Sequence, residues 1–287
     1  MNEKTAAPIV AFKGFDQDLK CRGFQFEVGK TYKHNGPVKA CESGFHSCEN
    51  PLDVWGYYDV LESRFCEVEV SGEIARHGED SKIASAEITI KAELKLPEFI
   101  RRAVERVIEL CKTEGKGELF DAGKDSAQIG SSGYYAQIGS SGYSAQIGSS
   151  GDYAQIGSSG ASARIGSSGY SARIGSSGYY AQIGSSGASA RIGSSGDSAR
   201  IGSSGDYAQI GSSGDSAKIK AEGEHAVVAC AGSVAYVQAG KNGAVCIPWY
   251  DGKRTRFAVG YVGENLKADT KYTVNDKGEF EEVKEAA

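Results

Sequence analysis

Between Asp125 and Ile219 the hydrophobic and polar positions repeat in one nine-residue phrase, A-[QRK]-I-G-S-S-G-[DYA]-[YS]. Isoleucine falls at 129, 138, 147, 156, 165, 174, 183, 192, 201, 210 and 219 without an insertion. A fixed short period marks units that stack on one another, because a single unit cannot bury its apolar face alone. Within A-x-I the alanine and isoleucine lie two apart, so a strand sends both to one side and the Gln, Arg or Lys between them to the other. G-S-S-G then reads as the turn, its glycines open to positive φ and its serines able to bond the local backbone. A nine-residue coil would be too tight to enclose isoleucine. The pattern therefore predicts two repeats per 18-residue coil, in a flattened parallel β-solenoid, with a three-sided coil of 27 residues as the alternative.

In the two-sided arrangement one face presents Gln128, Gln146, Arg164, Gln182, Arg200 and Lys218, and the other Gln137, Gln155, Arg173, Arg191 and Gln209. The preceding outward position places Tyr135, Tyr153 and Tyr207 on the second face and mostly serine on the first. Tyrosine offers contact area at small entropic cost, and arginine forks onto phosphate or carboxylate. Tyr135, Tyr153, Tyr207, Gln137, Gln155, Arg173 and Arg191 are therefore candidate binding residues. Their plainer role is as side-chain ladders that stabilise a solvated sheet. The step persists past the last full phrase: Ala217, Ala226, Ala235 and Ala244 keep it, as do Ile219, Val228, Val237 and Cys246, which predicts degenerate units closing the stack. Phe120, nine residues before Ile129, predicts that the N-terminal region caps the first coil. The stack then spans about seven coils, on the order of 30 Å at strand spacing.

Before the array the period changes. Pro8 to Phe15 and Phe24 to Val28 read as strands, Asn50-Pro51 opens a short helix carrying Leu52, Trp55 and Tyr58, and residues 64–74 and 82–92 alternate as strands with one wet face. Pro97 opens a long helix with Phe99, Ile100, Ala103, Val104, Val107, Ile108 and Cys111 on one stripe, ended by a linker at residues 113–117. After Ile247 the period breaks at Pro248-Trp249. Residues 256–262, 271–274 and 279–283 read as a small β cap with a hairpin turn at Asn275 to Gly278, Trp249 and Tyr250 covering the last coil and the tail after Val283 frayed. The fold class is mainly β: a parallel β-solenoid at residues 118–247, capped by an N-terminal α+β domain at 1–117 and a C-terminal β segment at 248–287.

Composition narrows the function. A net charge of -5 argues against general nucleic-acid binding, and no apolar run approaches the roughly 20 residues that span a bilayer. The opening residues lack the apolar core of a secretory signal, so a cytosolic protein is expected. Seven cysteines without framework spacing predict free thiols. A calcium β-roll would carry an aspartate ligand in every repeat, and ice binding needs threonine ladders; neither pattern is present. Cys41, His46 and Cys48, with Cys21, offer ligand types that suit zinc, but their spacing matches no standard motif, so core thiols are expected and no metal or other cofactor.

Lys13-Gly14 on a first strand, Gly44-Phe45-His46 before a helix ending at Tyr57-Tyr58, and a strand from Arg64 follow one another in an order that resembles the nicotinamide-binding half of ADP-ribosyltransferases. Lys13 stands where that family has Arg or His, and Glu87 is the candidate for its catalytic glutamate. The resemblance implies a pocket at Lys13, His46 and Tyr58, with a transferase as the enzymatic alternative. The phrases FKGFDQDLKCRGFQFEVGKTY and CESGFHSCENPLDVWGYY, with the array and the ending LKADTKYTVNDKGEFEEV, resemble a family of uncharacterised phage and prophage proteins. That resemblance implies a location in the host bacterial cytoplasm and carries over no catalytic residue. The expected function is a non-enzymatic accessory protein that sequesters a host component, such as an anti-phage defence factor. Its partner would be a host protein or a small nucleotide-like ligand, and two chains could pair through a solenoid face. A structural virion solenoid or adhesin is the remaining alternative, while near-balanced repeat charges argue against DNA mimicry.

Overall fold

The computed structural model describes residues 3–76, 80–114 and 124–283. Phe120 as the start of the stack, residues 115–117 as linker, the side chain of Cys111 and the tail after Val283 lie outside the described residues. The chain divides into two compact units, residues 1–106 and 107–287.

In the second unit each repeat forms one four-residue strand, x-I-G-S, as in Gln128–Ser131 and Gln137–Ser140. Each strand pairs in parallel with the strand 18 residues away: Ile147 lies beside Ile129 and Ile165, and Ile156 beside Ile138 and Ile174. Two repeats therefore make one coil, and the 27-residue alternative is excluded. About seven coils build a first sheet containing Gln128–Ser131 and a second containing Gln137–Ser140. Alanine and isoleucine fill the interior as the pattern predicts, with Ala145, Ala163, Ile147, Ile165 and Ile183 fully buried. Each isoleucine so buried removes apolar surface worth about 1.5–3 kcal/mol from water.

The turn chemistry differs from the expectation. The strand runs through the first glycine into serine, so Ser149, Ser167 and Ser185 also point inward and are fully buried. No array glycine has positive φ; the left-handed residue is the one before alanine, as in Ser126 (φ 58°), Tyr135 (φ 59°) and Tyr153 (φ 56°). A left-handed non-glycine costs about 1–2 kcal/mol. A hydrogen bond into the next coil offsets it, from Tyr135 N to Asp152 O at 3.0 Å and from Ser126 N to Tyr143 O at 2.7 Å. The second glycine is required by proximity: a Cβ on Gly178 would sit 2.0 Å from the Gly160 carbonyl oxygen of the preceding coil.

The terminal coils also depart from the expected step. The corner before Ala244 is one residue short, so Val228 pairs with Val245 and not with Cys246. Val245 and Ile247 take the inward places, Cys246 turns outward, and a register shift leaves Ala235 exposed, so the alanine ladder ends at Ala226. Pro248 breaks the period without breaking the strand: Ala244–Tyr250 continues and pairs antiparallel with Thr255–Tyr261, extending the second sheet. Tyr272–Val274 adds antiparallel to the first sheet and pairs with Phe280–Glu282 through the expected turn. Both growing edges thus end in antiparallel strands, which blunts further parallel pairing. Trp249 packs over Gly278 of that turn, whereas Tyr250 is 62% exposed.

The first unit comprises β1 (Glu3–Phe15), β2 (Lys20–Cys21), β3 (Phe24–Gln25), β4 (Thr31–Lys33), β5 (Phe45–Cys48), α1 (Pro51–Val54), β6 (Arg64–Arg76) and β7 (Lys82–Leu94), followed by α2 (Leu96–Glu114). Its sheet runs β4-β7-β5-β1-β6, and β6 pairs back onto β7, so four strands close into a small barrel. Ala11, Phe15, Val68, Val70, Ile88 and Ile90 belong to its core. Asn50 caps α1 by accepting from Leu52 N at 3.1 Å, but the helix stops at Val54, leaving Tyr57 and Tyr58 in the turn beyond it. Only Phe24–Gln25 of the expected second strand is extended, because Phe26 turns into the core. Phe99 of α2 packs against Phe12, Trp55 and Phe65 with ring centroids 4.4–6.1 Å apart.

Candidate functional site

The two solenoid faces carry similar residues in different states. On the second sheet Gln137, Gln155, Arg173, Arg191 and Gln209 are exposed and in register, 18 residues apart. Among the described residues their side chains make no hydrogen bond or ion pair. Between them Gly139, Gly157, Gly175 and Gly193 face open space, and together they border a shallow furrow of about 1170 Å³. On the first sheet Gln146 and Gln182 are buried, and Gln128, Gln146, Arg164, Gln182, Arg200 and Lys218 are all engaged in contacts. Sequence alone cannot separate these faces, since both are written in the same phrase. The open face bears two guanidinium groups without an ion-pair partner among the described residues, and no carboxylate at its outward x positions.

The tyrosines stand at the corner leading into the second sheet and not on its flat face, because their left-handed backbone belongs to the turn. Tyr135 and Tyr153 stack with centroids 5.2 Å apart, Tyr134 meets both, and Tyr170 meets Tyr153 at 5.8 Å. Tyr207 stacks on His225 at 5.0 Å. Tyr134 and Tyr170 join this column from the position one residue earlier, which the outward-position pattern did not single out. Aspartate at that same position ties one coil to the next: Asp152 Oδ1 accepts from Tyr170 N at 2.8 Å, and Asp206 Oδ1 from Glu224 N at 2.8 Å.

In the first unit the structure brings Lys13, His46 and Tyr58 to one cavity of about 820 Å³, with Cys21, Phe26 and Lys82 also in its wall. Lys13 is buried near the C-terminal end of β1, donating to the His46 carbonyl at 2.9 Å and to Cys21 Sγ at 3.5 Å. Cys21 Sγ lies 3.1 Å from the Tyr58 hydroxyl. Gly14 must be glycine because Tyr58 lies over it, 2.3 Å from where a Cβ would stand. Burial pushes the Lys13 amine below the usual lysine range, against the smaller pull of Cys21. It lowers His46 as well, with Lys13 adding to the effect, and pushes Cys66 up to about 12. Cys48 is shifted up for the same reason, so these thiols stay protonated. Among the described residues no group of histidine, cysteine or carboxylate side chains could hold a metal ion. Glu87 pairs instead with Lys33 at 2.9 Å and takes no part in the cavity wall, so it does not stand as a catalytic carboxylate beside Lys13. Lys82 joins the pocket from β7 without a sequence signal for it, whereas Cys21, from β2, is grouped with His46 in the sequence only as a ligand type.

Residues 9–102, most of the first unit, match the model of a domain of unknown function, DUF7666. No curated protein and no solved structure matches the chain.

Proposed function

We propose that this is a non-enzymatic binding protein that occupies an acidic surface on a host component with the open face of its solenoid. The observation that supports the reading is the difference between the faces: among the described residues, five long polar side chains on the second sheet are unpaired, while their counterparts on the first are engaged. Guanidinium groups held in register by a rigid sheet lose little entropy when they fork onto carboxylates or phosphates. The resemblance to phage and prophage proteins supports a bacterial cytosolic partner, an anti-phage defence factor being the kind of target sequestration would serve. The tyrosine column at the neighbouring corner would add contact area to the same interface.

The test uses Arg173→Gln/Arg191→Gln, which restores on this face the residue already present at Gln155 and Gln209, so the stack is expected to stay intact. Wild-type protein is expected to retain a specific host component from bacterial lysate, with loss of roughly tenfold or more in the double variant. Equal retention by both proteins would remove this face from the interface.

A further inference from the structure

The cavity of the first unit holds a reactive group that the solenoid reading leaves unused. Lys13 is 5% exposed, and its Nζ lies 5.4 Å, 6.0 Å and 6.0 Å from the ring centroids of Phe15, Phe26 and Tyr58. A lysine this deep is ordinarily matched by a carboxylate, since an unpaired buried charge is costly. Among the described residues none pairs with it: its charged or titratable neighbours are Cys21, Cys48 and Arg22, with Tyr58 and His46 beside them. Desolvation without an anion favours the neutral amine, and a neutral amine is a nucleophile. The cavity wall supplies aromatic faces at Phe24, Phe26 and Phe45 and the guanidinium of Arg22, which has no ion-pair partner among the described residues.

We propose that Lys13 captures a small aromatic aldehyde bearing an anionic group, as an imine formed inside this cavity. The amine nitrogen attacks the carbonyl carbon, and its proton passes to the carbonyl oxygen to give the carbinolamine. The nitrogen lone pair then forms the C=N bond while the hydroxyl takes a proton from Tyr58 and leaves as water. The imine nitrogen returns its proton to the Tyr58 phenolate. The sum is aldehyde plus amine giving imine plus water, with no other reactant. Tyr58 is the hydroxyl placed for this work: its ring lies over Gly14 beside Lys13, and its hydroxyl is held 3.1 Å from Cys21 Sγ. The capture is stoichiometric and does not rest on the reading of the solenoid face.

The full chain is incubated with pyridoxal 5′-phosphate at one equivalent, reduced with borohydride and mapped by peptide mass spectrometry. The reduced label is expected on Lys13 ahead of the exposed lysines, and its lead is expected to widen as pH falls below neutrality, where exposed amines are protonated. Lys13→Met is expected to lose that label and Tyr58→Phe to slow its appearance roughly tenfold or more, both with unchanged circular dichroism. Label spread over exposed lysines with Lys13 unmodified, in wild-type protein that needs no variant to fold, would overturn the proposal. Equal rates in Tyr58→Phe would remove the proton donor from it, and a Lys13 rate that tracks the exposed lysines across pH would remove the activated amine.

Discussion

At the scale of single residues, glycine in this array does two different jobs under one letter. Gly178 allows one coil to approach the next, where a Cβ would meet the Gly160 carbonyl oxygen, whereas around Gly175 there is open space. Gly178→Ala is expected to cost about 1–3 kcal/mol through forced separation of coils. Gly175→Ala is expected to be neutral or to stabilise by about 0.5–1 kcal/mol, because a strand glycine loses more freedom on folding than alanine. Paired urea melts measure both, and equal destabilisation would contradict this division. The same contrast explains what was legible beforehand. Alanine and isoleucine announce the core by spacing alone, and the period gives the 18-residue coil. The positive φ at Tyr135 and Ser126 leaves no compositional trace, since it is imposed by the hydrogen bond to the following coil and not by the residue's own preference. Lys13, His46 and Tyr58 were legible only through their order along the chain; the cavity that joins them depends on a barrel closure that no local pattern encodes.

At the scale of the element, the corner is held by carboxylates that the sequence shows as an irregular scatter. Asp215 Oδ1 accepts from the backbone N of Ser233 at 3.1 Å and from its hydroxyl at 2.9 Å, tying the coil to its neighbour. The backbone N–H, then the hydroxyl, holds the Asp215 carboxyl below its ordinary range. A carboxylate whose folded value is depressed contributes stability above its unfolded value, near 3.9, and loses it as pH falls through the folded value. Asp215→Ala is therefore expected to lower the thermal midpoint at pH 7, with the difference from wild type closing as pH falls through the depressed folded value and the carboxyl is protonated. A difference that persists unchanged into acid would mean the side chain acts by shape and not by charge. Tyrosine or alanine at the equivalent position in other coils forgoes this tie, which leaves the position free to vary and makes the tyrosine column possible.

At the scale of the whole molecule, stability in a stack approximates a sum over coils and their interfaces, while function depends on which face each repeat occupies. Chain length and phase separate under deletion. Removing residues 159–176 joins Ser158 to Ser177 and takes out one complete coil, so every later repeat keeps its sheet. Removing residues 168–176 takes out half as much chain but joins Ser167 to Ser177, and every later repeat changes sheet. Gln182, Arg200 and Lys218, engaged on the first sheet, would be carried to the second, and Arg191 and Gln209 would enter the first. The larger deletion is expected to fold with a thermal midpoint within several degrees of wild type, since the lost burial is largely offset by the conformational entropy of the missing residues. The smaller one is expected to melt lower and less cooperatively, followed by circular dichroism; host capture is expected to fall in both, because both lose Arg173 from the open face. The repeats are nearly identical in composition, so the comparison isolates phase from content. A nine-residue deletion as stable as the 18-residue one would show that the two faces are interchangeable, and the contrast on which the open face was assigned would lose its meaning.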